Sequence, residues 1–207
     1  VRAHGLQQRY VGGHPMAGTA ESGWPASFAE LFTDAVWVVG TEDDADPQVW
    51  TAVARLALAC GSVVVPAEAA EHDRAAARIS HLPHLLAEAL ALAGAGGGDL
   101  ALNLAAGSFR DGTRVAATAP ALVRAMCEAN TDALLDVLDE TLVVLTAARD
   151  QLADQRSTVD LVEAGHAARQ RYEAATRWTI TDIRPGEPDW VTRLRDGGRR
   201  GGVLREL

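Results

Sequence analysis

The chain is organised around one stretch, Gly12-Gly13-His14-Pro15-Met16-Ala17-Gly18-Thr19. Residues 9–13 have β character, so we predict a strand that ends where a glycine-bordered turn begins. Glycine permits a positive φ and close backbone approach, and Pro15 biases the residue before it towards extended geometry. A histidine held at the end of a strand is well placed for chemistry on a ligand. A structural turn with a solvated histidine explains the same residues equally well.

The segments that follow alternate between strand and helix. Residues 35–40 and 62–65 are continuous apolar runs of strand length, which suits strands buried on both faces. Residues 48–59 place apolar side chains at helical spacing. The order strand, helix, strand predicts an α/β layer with a crossover connection. The layer is short and corresponds to about half of a doubly wound sheet.

Helical patterns dominate the chain from Glu71 onward. We predict helices over residues 72–93, 99–106, 120–129, 131–155 and 159–176, with a polar segment over 108–117. The helix over 131–155 would span about 37 Å, which is longer than a small domain needs for itself. We therefore expect it to bury one face against a second subunit. Residues 178–207 are predicted to form an irregular tail, with a short helix over 188–195 and a mobile glycine-arginine run over 197–202.

Composition excludes several classes of protein. The net charge of −9 and the isoelectric point near 5.1 argue against a broad nucleic-acid surface. No run of eighteen apolar residues is present, so we predict no membrane span. Cys60 and Cys127 lie in apolar helical surroundings and are expected to be small buried hydrophobes in a reducing compartment, the cytoplasm.

A second polar motif, Ser80-His81-Leu82-Pro83-His84, interrupts a helical pattern. His81 and His84 are three residues apart and share a helix face. Pro83 would cost about 3 kcal/mol inside an ordinary helix. A kink beside two histidines suggests a pocket wall formed by Ser80 and His81, although a kinked helix with satisfied core histidines accounts for it too.

A third polar motif, Ser108-Phe109-Arg110-Asp111-Gly112-Thr113-Arg114, places charges in an apolar region. The guanidinium of Arg114 could clamp a carboxylate, and Asp111 could hold that arginine in place. A solvated loop with one ion pair of under about 1 kcal/mol is the simpler alternative. Three such motifs together predict a site for an anionic substrate.

The motifs resemble those of one family, prephenate dehydrogenase, which includes the arogenate and cyclohexadienyl dehydrogenases. The resemblance spans about residues 9–155 and rests on His14-Pro15-Met16-Ala17-Gly18, Glu71-His72-Asp73, Ser80-His81-Leu82-Pro83-His84 and the segment from Phe109 to Arg114. It implies an α/β partial Rossmann-type sheet, its second half only, followed by an all-α helical dimerisation domain. The expected boundaries are 1–68 for the nucleotide-binding part, 69–177 for the helical domain and 178–207 for the tail.

The resemblance also implies an activity and residue roles. The expected reaction is the NAD- or NADP-dependent oxidative decarboxylation of prephenate to 4-hydroxyphenylpyruvate in tyrosine biosynthesis, by a homodimer. Arogenate is the alternative substrate. His14 matches the catalytic histidine that accepts the hydroxyl proton. The substrate-binding positions are matched by His84, Gly107, Asp111 and Arg114.

Two departures from the family qualify these expectations. Many relatives carry an acid immediately after the Gly-Thr of the first motif, where this chain has Ala20 followed by Glu21. The Gly-x-Gly-x-x-Gly turn that cradles the pyrophosphate is not in the sequence. We therefore expect the main cofactor-binding segment to lie upstream of Val1, and the isolated chain to bind NAD or NADP poorly.

Two other functions compete with this interpretation. The missing phosphate loop allows a catalytically silent helical dimerisation fragment. A metal hydrolase built on the four histidines of the motifs is the weakest hypothesis, because their spacing matches none of the usual zinc signatures, and we predict no metal. Those histidines are His14, His72, His81 and His84.

Overall fold

A computed structural model describes residues 1–19 and 23–207. These residues form two compact units. The first unit contains residues 1–72 and 176–207, and the second contains residues 73–175. Ala20 and Glu21, at which the sequence departs from the family pattern, lie outside the described residues.

The first unit is built on a sheet of three strands in the order β1-β2-β3. Strand β2 (Val36–Gly40) pairs in parallel with β3 (Val63–Ala67), as their apolar runs predict. Helix α1 (Pro47–Ala59) connects them, and it begins where the carboxylate of Asp46 accepts hydrogen bonds from two backbone N–H groups of its first turn. The predicted strand, helix, strand unit is therefore confirmed.

Strand β1 (Gly13–Pro15) differs from the prediction of a strand over 9–13. It lies antiparallel to β2, and His14 is inside it, opposite Val38, rather than after it. Gly40 permits the close approach of the segment before β1, because a Cβ on Gly40 would lie only 3.3 Å from the carbonyl oxygen of Gly12. The composition of residues 9–13 predicts a strand there. The strand instead starts at Gly13, where pairing with β2 begins.

The C-terminal segment, predicted as an irregular tail with a short helix over 188–195, contains that helix and two short paired strands as well. After β4 (Trp178–Thr179), the chain forms α9 (Trp190–Arg199) and β5 (Gly202–Val203), and β5 pairs in parallel with β4. Leu204 then exchanges two backbone hydrogen bonds with Val64 of β3, at 2.8 and 2.9 Å.

Side chains of this segment complete the core of the first unit. Trp190, Leu194 and Leu204 pack in one cluster with Trp50 of α1 and residues of the sheet. Nor is the glycine-arginine run exposed throughout: a Cβ on Gly198 would lie 2.0 Å from the carbonyl oxygen of Pro66. The glycine is therefore needed for close approach of α9 to β3, where the sequence had suggested mobility.

The second unit is helical. Helix α2 (Ala69–Ala76) begins in the first unit and leads into the second. The helices that follow are α3 (Leu82–Gly96), α4 (Gly98–Asn103), α5 (Gly107–Thr113), α6 (Pro120–Ala129), α7 (Thr131–Gln155) and α8 (Val159–Ala174). The bounds of α6 and α7 match the predicted ranges. The polar segment predicted over 108–117 is helical in the structure and consists of α5 and a 3₁₀ turn, Arg114–Ala117.

The helix that the sequence predicts over 72–93 is not a regular helix with a proline kink. A π-helical segment, Ala77–His81, separates α2 from α3. Pro83 lies in the first turn of α3, directly after the π-helical segment, in which the N–H of Leu82 bonds five residues back to the carbonyl of Ala77. The widened turn thus accommodates the proline, and π segments of this kind frequently occur at functional sites.

The core of the second unit is small. It consists of Ala77, Leu82, Val123, Cys127, Leu134 and Val137. Burial raises the pKa of the Cys127 thiol, which is free, as is that of Cys60. Across residues 1–19 and 23–207, no helix combines the length and apolar character needed to cross a membrane.

Candidate functional site

The first unit contains a cavity of about 450 Å³ at the edge of its sheet. Its walls are the segment from Tyr10 to His14, the end of β2, the loop that follows β2, and the first turns of α2. Apolar side chains and glycine backbone form much of this surface. Two imidazoles, of His14 and His72, and two carboxylates, of Glu42 and Asp44, line it as well.

His14 is exposed, but its backbone is held on both sides. The N–H of Gly40 donates to the carbonyl of Gly12 at 2.8 Å, and the N–H of Met16 donates to that of Val36 at 2.7 Å. The imidazole therefore projects from a strand fixed in the sheet, which restricts its position more than a loop would.

His14 is in direct contact with His72, the fourth residue of α2. The Nδ1 atom of His14 lies 2.7 Å from the Nε2 atom of His72. The two rings meet edge to face, with centroids 4.9 Å apart and an interplanar angle of 74°. At this distance one nitrogen donates a hydrogen bond and the other accepts it.

Hydrogen bonds connect the segments that follow β2 and β3 at the floor of the cavity. The N–H of Thr41 donates to the carbonyl of Ala67 at 3.0 Å. The carboxylate of Glu42 accepts from the N–H of Ala69, the first residue of α2, at 2.8 Å. Ligands of α/β sheets bind at the carboxyl ends of the parallel strands, so the cavity lies where the fold places a ligand.

Arg195 of α9 holds the acidic loop that borders the cavity. Its guanidinium donates to the carbonyl of Thr41 and to the Oδ1 atom of Asp43, the latter at 2.7 Å. The side chain of Arg195 is only 12% exposed. Sequence reasoning assigned no role to this arginine. The signal was weak, since it lies among several arginines of the C-terminal segment.

In the second unit, Ser80 and His81 contact residues of the helical core. The hydroxyl of Ser80 donates to the sulfur of Met126 at 3.7 Å. His81 is buried, and its Nδ1 atom lies 3.3 Å from the side-chain nitrogen of Asn130. That amide also donates to the carbonyl of Asp73 at 2.8 Å. His81 thus has the surroundings of a satisfied core histidine.

His84 differs from His81. It is half-buried near the start of α3, and its Nδ1 atom is buried without a hydrogen-bond partner within residues 1–19 and 23–207. Orphaned polar atoms of this kind cost free energy unless a ligand or water satisfies them. His84 is therefore a better candidate than His81 for contact with a bound ligand.

Gly107, Asp111 and Arg114 belong to α5 and the turn after it. Gly107 is the half-buried first residue of α5, and Arg114 is an exposed residue of the 3₁₀ turn, which packs against α3. The expected ion pair between Asp111 and Arg114 is not formed: Asp111 lies 3.7 Å from Arg110 instead. Both carboxylate and guanidinium are exposed there, so the choice between neighbouring arginines carries little energy.

The geometry does not support the metal hypothesis. Among the described residues, no three His, Cys, Asp or Glu side chains are grouped so that they could hold a metal ion. Two imidazole nitrogens on one tetrahedral zinc would be about 3.3 Å apart, given Zn–N bonds of about 2.0–2.1 Å. The 2.7 Å separation of the His14 and His72 nitrogens fits a shared proton instead.

Family models match both parts of the chain. The model described as "Prephenate dehydrogenase, nucleotide-binding domain" matches residues 1–66. The model described as "Prephenate dehydrogenase, dimerization domain" matches residues 68–164. Together they cover the segments that carry the histidine and arginine motifs.

Named relatives point the same way. A prephenate dehydrogenase of Bacillus subtilis is 35% identical over 135 residues, which is 64% of this chain and 36% of that protein. A cyclohexadienyl dehydrogenase of Zymomonas mobilis is 36% identical over 149 residues, covering 70% of this chain and 51% of that protein.

Solved structures share the fold. A Corynebacterium glutamicum protein assigned as a prephenate dehydrogenase has a TM-score of 0.89 and 47% identity, over 99% of this chain and 66% of that one. Synechocystis arogenate dehydrogenase has a TM-score of 0.71 and 32% identity, over 82% of this chain and 64% of that one. The chain thus spans from about a third to two thirds of the length of these relatives.

Proposed function

The chain belongs to the prephenate dehydrogenase family, and we propose that it carries the catalytic base of an enzyme that converts prephenate to 4-hydroxyphenylpyruvate. The reaction is an NAD- or NADP-dependent oxidative decarboxylation in tyrosine biosynthesis. The observation that carries the proposal is His14, held on a sheet strand at the cavity with one ring nitrogen engaged by His72.

The residues of the cavity fit one end of a nicotinamide dinucleotide. Gly12 and Gly40 present backbone without a Cβ, so a planar group can approach closely. Glu42 and Asp44 offer carboxylates, which accept hydrogen bonds from ribose hydroxyls. Among the described residues, the lining includes no arginine for the pyrophosphate, and we assign the nicotinamide end to this cavity. The oxidised cofactor, when bound, supplies the hydride acceptor.

His14 acts as a general base. Its imidazole takes the proton from the substrate hydroxyl while hydride leaves the carbon that bears it. The bond to the ring carboxylate then breaks, carbon dioxide departs, and the bonding electrons make the ring aromatic and leave a phenolate. The proton held on His14 returns to that oxygen, so the reaction releases no net proton.

Four further residues are proposed substrate contacts. Arg114 binds a substrate carboxylate through its planar guanidinium. His84, with its orphaned Nδ1 atom, lies along the substrate side chain. Gly107 contacts the substrate through its backbone. Asp111 is an acidic partner for the arginines of this segment, and its carboxylate lies 3.7 Å from the guanidinium of Arg110.

Arogenate is the alternative substrate. It carries an amino group where prephenate has a keto group, and the same proton and hydride transfers apply to both rings. One structural relative is an arogenate dehydrogenase and one curated relative a cyclohexadienyl dehydrogenase, so the alternative has support of the same kind.

The chain's other proposed properties follow from its helices and cysteines. We propose a homodimer through α7, which exposes a stripe of leucines, and which lies in the segment matched by the dimerization-domain model. We also assign the enzyme to the cytoplasm, where the free thiols of Cys60 and Cys127 stay reduced.

Kinetics of His14→Asn and Arg114→Gln test the function, in the longest polypeptide that the gene encodes. His14→Asn should lower kcat by about 10²- to 10⁴-fold, because a positioned base is lost. Arg114→Gln should chiefly raise KM, by about 10- to 100-fold, since a charge-assisted contact of about 1.5–3 kcal/mol disappears.

Matched controls are available elsewhere in the chain. His166→Asn changes an exposed histidine of α8, and Arg124→Gln changes an exposed arginine of α6. Both should leave turnover within about twofold, like other surface changes of small energetic effect. Loss of less than tenfold in His14→Asn, or equal effects of the two arginine variants, would count against the assigned roles.

A further inference from the structure

We propose that Arg195 of helix α9 is a positioning residue for the cavity, and that it raises the affinity for the nicotinamide end of the cofactor by fixing the acidic loop after β2. The inference rests on the proposed function in one respect, the assignment of the nicotinamide end to this cavity. The family model of the dimerization domain ends at residue 164, and α9 lies beyond the segments that both models match.

Helix α9 acts on the cavity indirectly. Among the described residues that line the cavity, none belongs to α9. Arg195 and Arg199 are four residues apart and therefore lie on the same face of the helix. Arg195 reaches the loop that follows β2, and Arg199 donates to a carboxylate oxygen of Glu71 in α2 at 2.7 Å. One helix face thus contacts both segments that follow the parallel strands.

The contact with the loop is made at its first residue, Thr41. Thr41 is fully buried, and its carbonyl accepts a hydrogen bond from the Nη2 atom of Arg195. The same nitrogen donates to the Oδ1 atom of Asp43 at 2.7 Å. The side chain of Asp43 is 88% exposed, so water screens its charge and the ion pair contributes little. The buried carbonyl contact is therefore the one that fixes the loop.

The loop transmits this restraint to the wall of the cavity. Glu42 follows Thr41 directly, and its carboxylate accepts from the N–H of Ala69 at 2.8 Å. Its carbonyl accepts from the N–H of Ala45 at 3.0 Å. Glu42 and Asp44 line the cavity, so a shift of Thr41 displaces the carboxylates that are proposed to meet ribose hydroxyls. Such hydrogen bonds weaken steeply when distance and angle depart from their optimum, and the affinity falls with them.

The surroundings of Arg195 favour a positioning role over a purely stabilising one. Its Nε atom is buried without a hydrogen-bond partner within residues 1–19 and 23–207. A buried donor that is left unpaired costs free energy, and an apolar side chain of similar length would avoid that cost. The contribution specific to the guanidinium is the position of the loop.

Another arginine of α9 provides a matched control. Arg193 donates from its Nη2 atom to the carbonyl of Asp182 at 2.6 Å, so it too ties α9 to a backbone carbonyl. Neither Arg193 nor Asp182 is among the described residues that line the cavity. Arg193→Met and Arg195→Met each remove one such contact and keep an apolar stem. A purely structural role predicts similar effects of the two variants, whereas a positioning role predicts effects at the cavity in Arg195→Met alone.

Amide hydrogen exchange of the 207-residue chain, followed by NMR, tests the restraint without cofactor or turnover. The amides of Ala45 and Ala69 report on the loop, because both donate to Glu42. In Arg195→Met they should exchange at least about tenfold faster than in the wild type, since local opening becomes easier. Arg195→Gln has a side chain too short to reach the carbonyl, and it carries the same prediction if the methionine variant does not fold.

Two controls separate this effect from a general loss of stability. The amide of Leu204, which donates to Val64 of β3 at 2.8 Å, should exchange within about twofold of the wild-type rate in Arg195→Met. Arg193→Met should leave Ala45 and Ala69 within the same limit. Unchanged loop amides in Arg195→Met, or an equal acceleration at Leu204, would overturn the inference.

Cofactor titration and kinetics in the longest polypeptide that the gene encodes test the consequence for the site. Titration calorimetry with NAD and with NADP should show Kd raised about tenfold in Arg195→Met, the loss expected for displaced hydrogen bonds. KM for the cofactor should rise with it, while kcat and KM for prephenate change less than about threefold. Arg195→Lys retains a cation whose single nitrogen can donate to the loop, and it should recover most of the affinity.

The results distinguish this inference from the proposed function. An active wild-type enzyme whose cofactor affinity is unchanged in Arg195→Met, or falls equally in Arg193→Met, would overturn the inference and leave the function standing. A wild-type polypeptide that binds the cofactor with an affinity dependent on Arg195, but converts neither prephenate nor arogenate, would overturn the function and support the inference.

Discussion

The two units of this chain complete their cores in different ways. The first unit gathers residues from both ends of the sequence, and its buried cluster includes Trp50, Trp190, Leu194 and Leu204. Trp50 and Trp190 meet edge to face with centroids 5.6 Å apart. The second unit is continuous in sequence, and its core consists mostly of small and medium side chains.

The helices of the second unit leave much apolar surface uncovered. On α7 the leucines at 135, 142, 145 and 152 are each about half exposed and recur at the spacing of a helix seam. The buried face of the same helix carries Leu134 and Val137. The difference teaches that the first unit closes its core with its own chain, whereas the second has a face suited to a further subunit.

Truncating Leu194 is the strongest test of the first half of this comparison. The side chain is 1% exposed in the mixed cluster, so Leu194→Ala should lower the free energy of unfolding by about 2–5 kcal/mol. Urea unfolding followed by tryptophan fluorescence measures the change. Thr192→Ala, on the exposed side of α9, is the control and should shift stability by under about 0.5 kcal/mol. If Leu194→Ala were as stable as the wild type, packing of the C-terminal segment would not be needed for the stability of the first unit.

Polar substitutions on α7 test the second half. Leu142→Gln combined with Leu145→Gln should raise the dissociation constant of the dimer by at least about tenfold, because each buried leucine contributes about 1.5–3 kcal/mol. Analytical ultracentrifugation measures the association, and circular dichroism should show unchanged helix content. Val143→Gln, on the same helix but off the stripe, is the matched control. A tight dimer in the double variant would place the interface elsewhere.

The smallest effect concerns the ion pair that braces the second unit. Arg78 donates two hydrogen bonds to Glu140, at 2.7 and 2.8 Å, and this contact lowers the pKa of the Glu140 carboxyl. A carboxyl with a lowered folded pKa stabilises the fold above its unfolded pKa, and the contribution is lost as the pH falls through the folded pKa.

Glu140→Gln should therefore lower Tm slightly at neutral pH and not at all in acid below both pKa values. Thermal unfolding at the two pH values measures the difference. Glu163→Gln, at an exposed position of α8, serves as the control. A variant that is equally destabilised at both pH values would show that the charge is not responsible.

Elements with a strong local pattern were predictable from the sequence. The apolar runs of β2 and β3 and the periodicity of α1 specify the parallel unit, because burial on both faces or on one face leaves a clear pattern. The bounds of α7 also follow from its sequence, and His14 is conspicuous between glycines. These features depend on residues close together in the chain.

Features that depend on distant residues were not predictable in the same way. The sequence contains His72 in a family motif, but its contact with His14 arises only when β1 pairs with β2 and α2 starts at the end of β3. The C-terminal segment appeared irregular because glycine and arginine dominate it. The glycines permit a close backbone approach that no hydrophobicity pattern reveals.

The pairing of Val64 with Leu204 has a consequence for synthesis on the ribosome. The strands of the first unit emerge early, yet the residues that cover β3 are translated only after the whole helical unit. At about 5–20 residues per second the interval is on the order of ten seconds. During that time the nascent chain presents an apolar strand edge, the kind of surface that invites mispairing and chaperone binding.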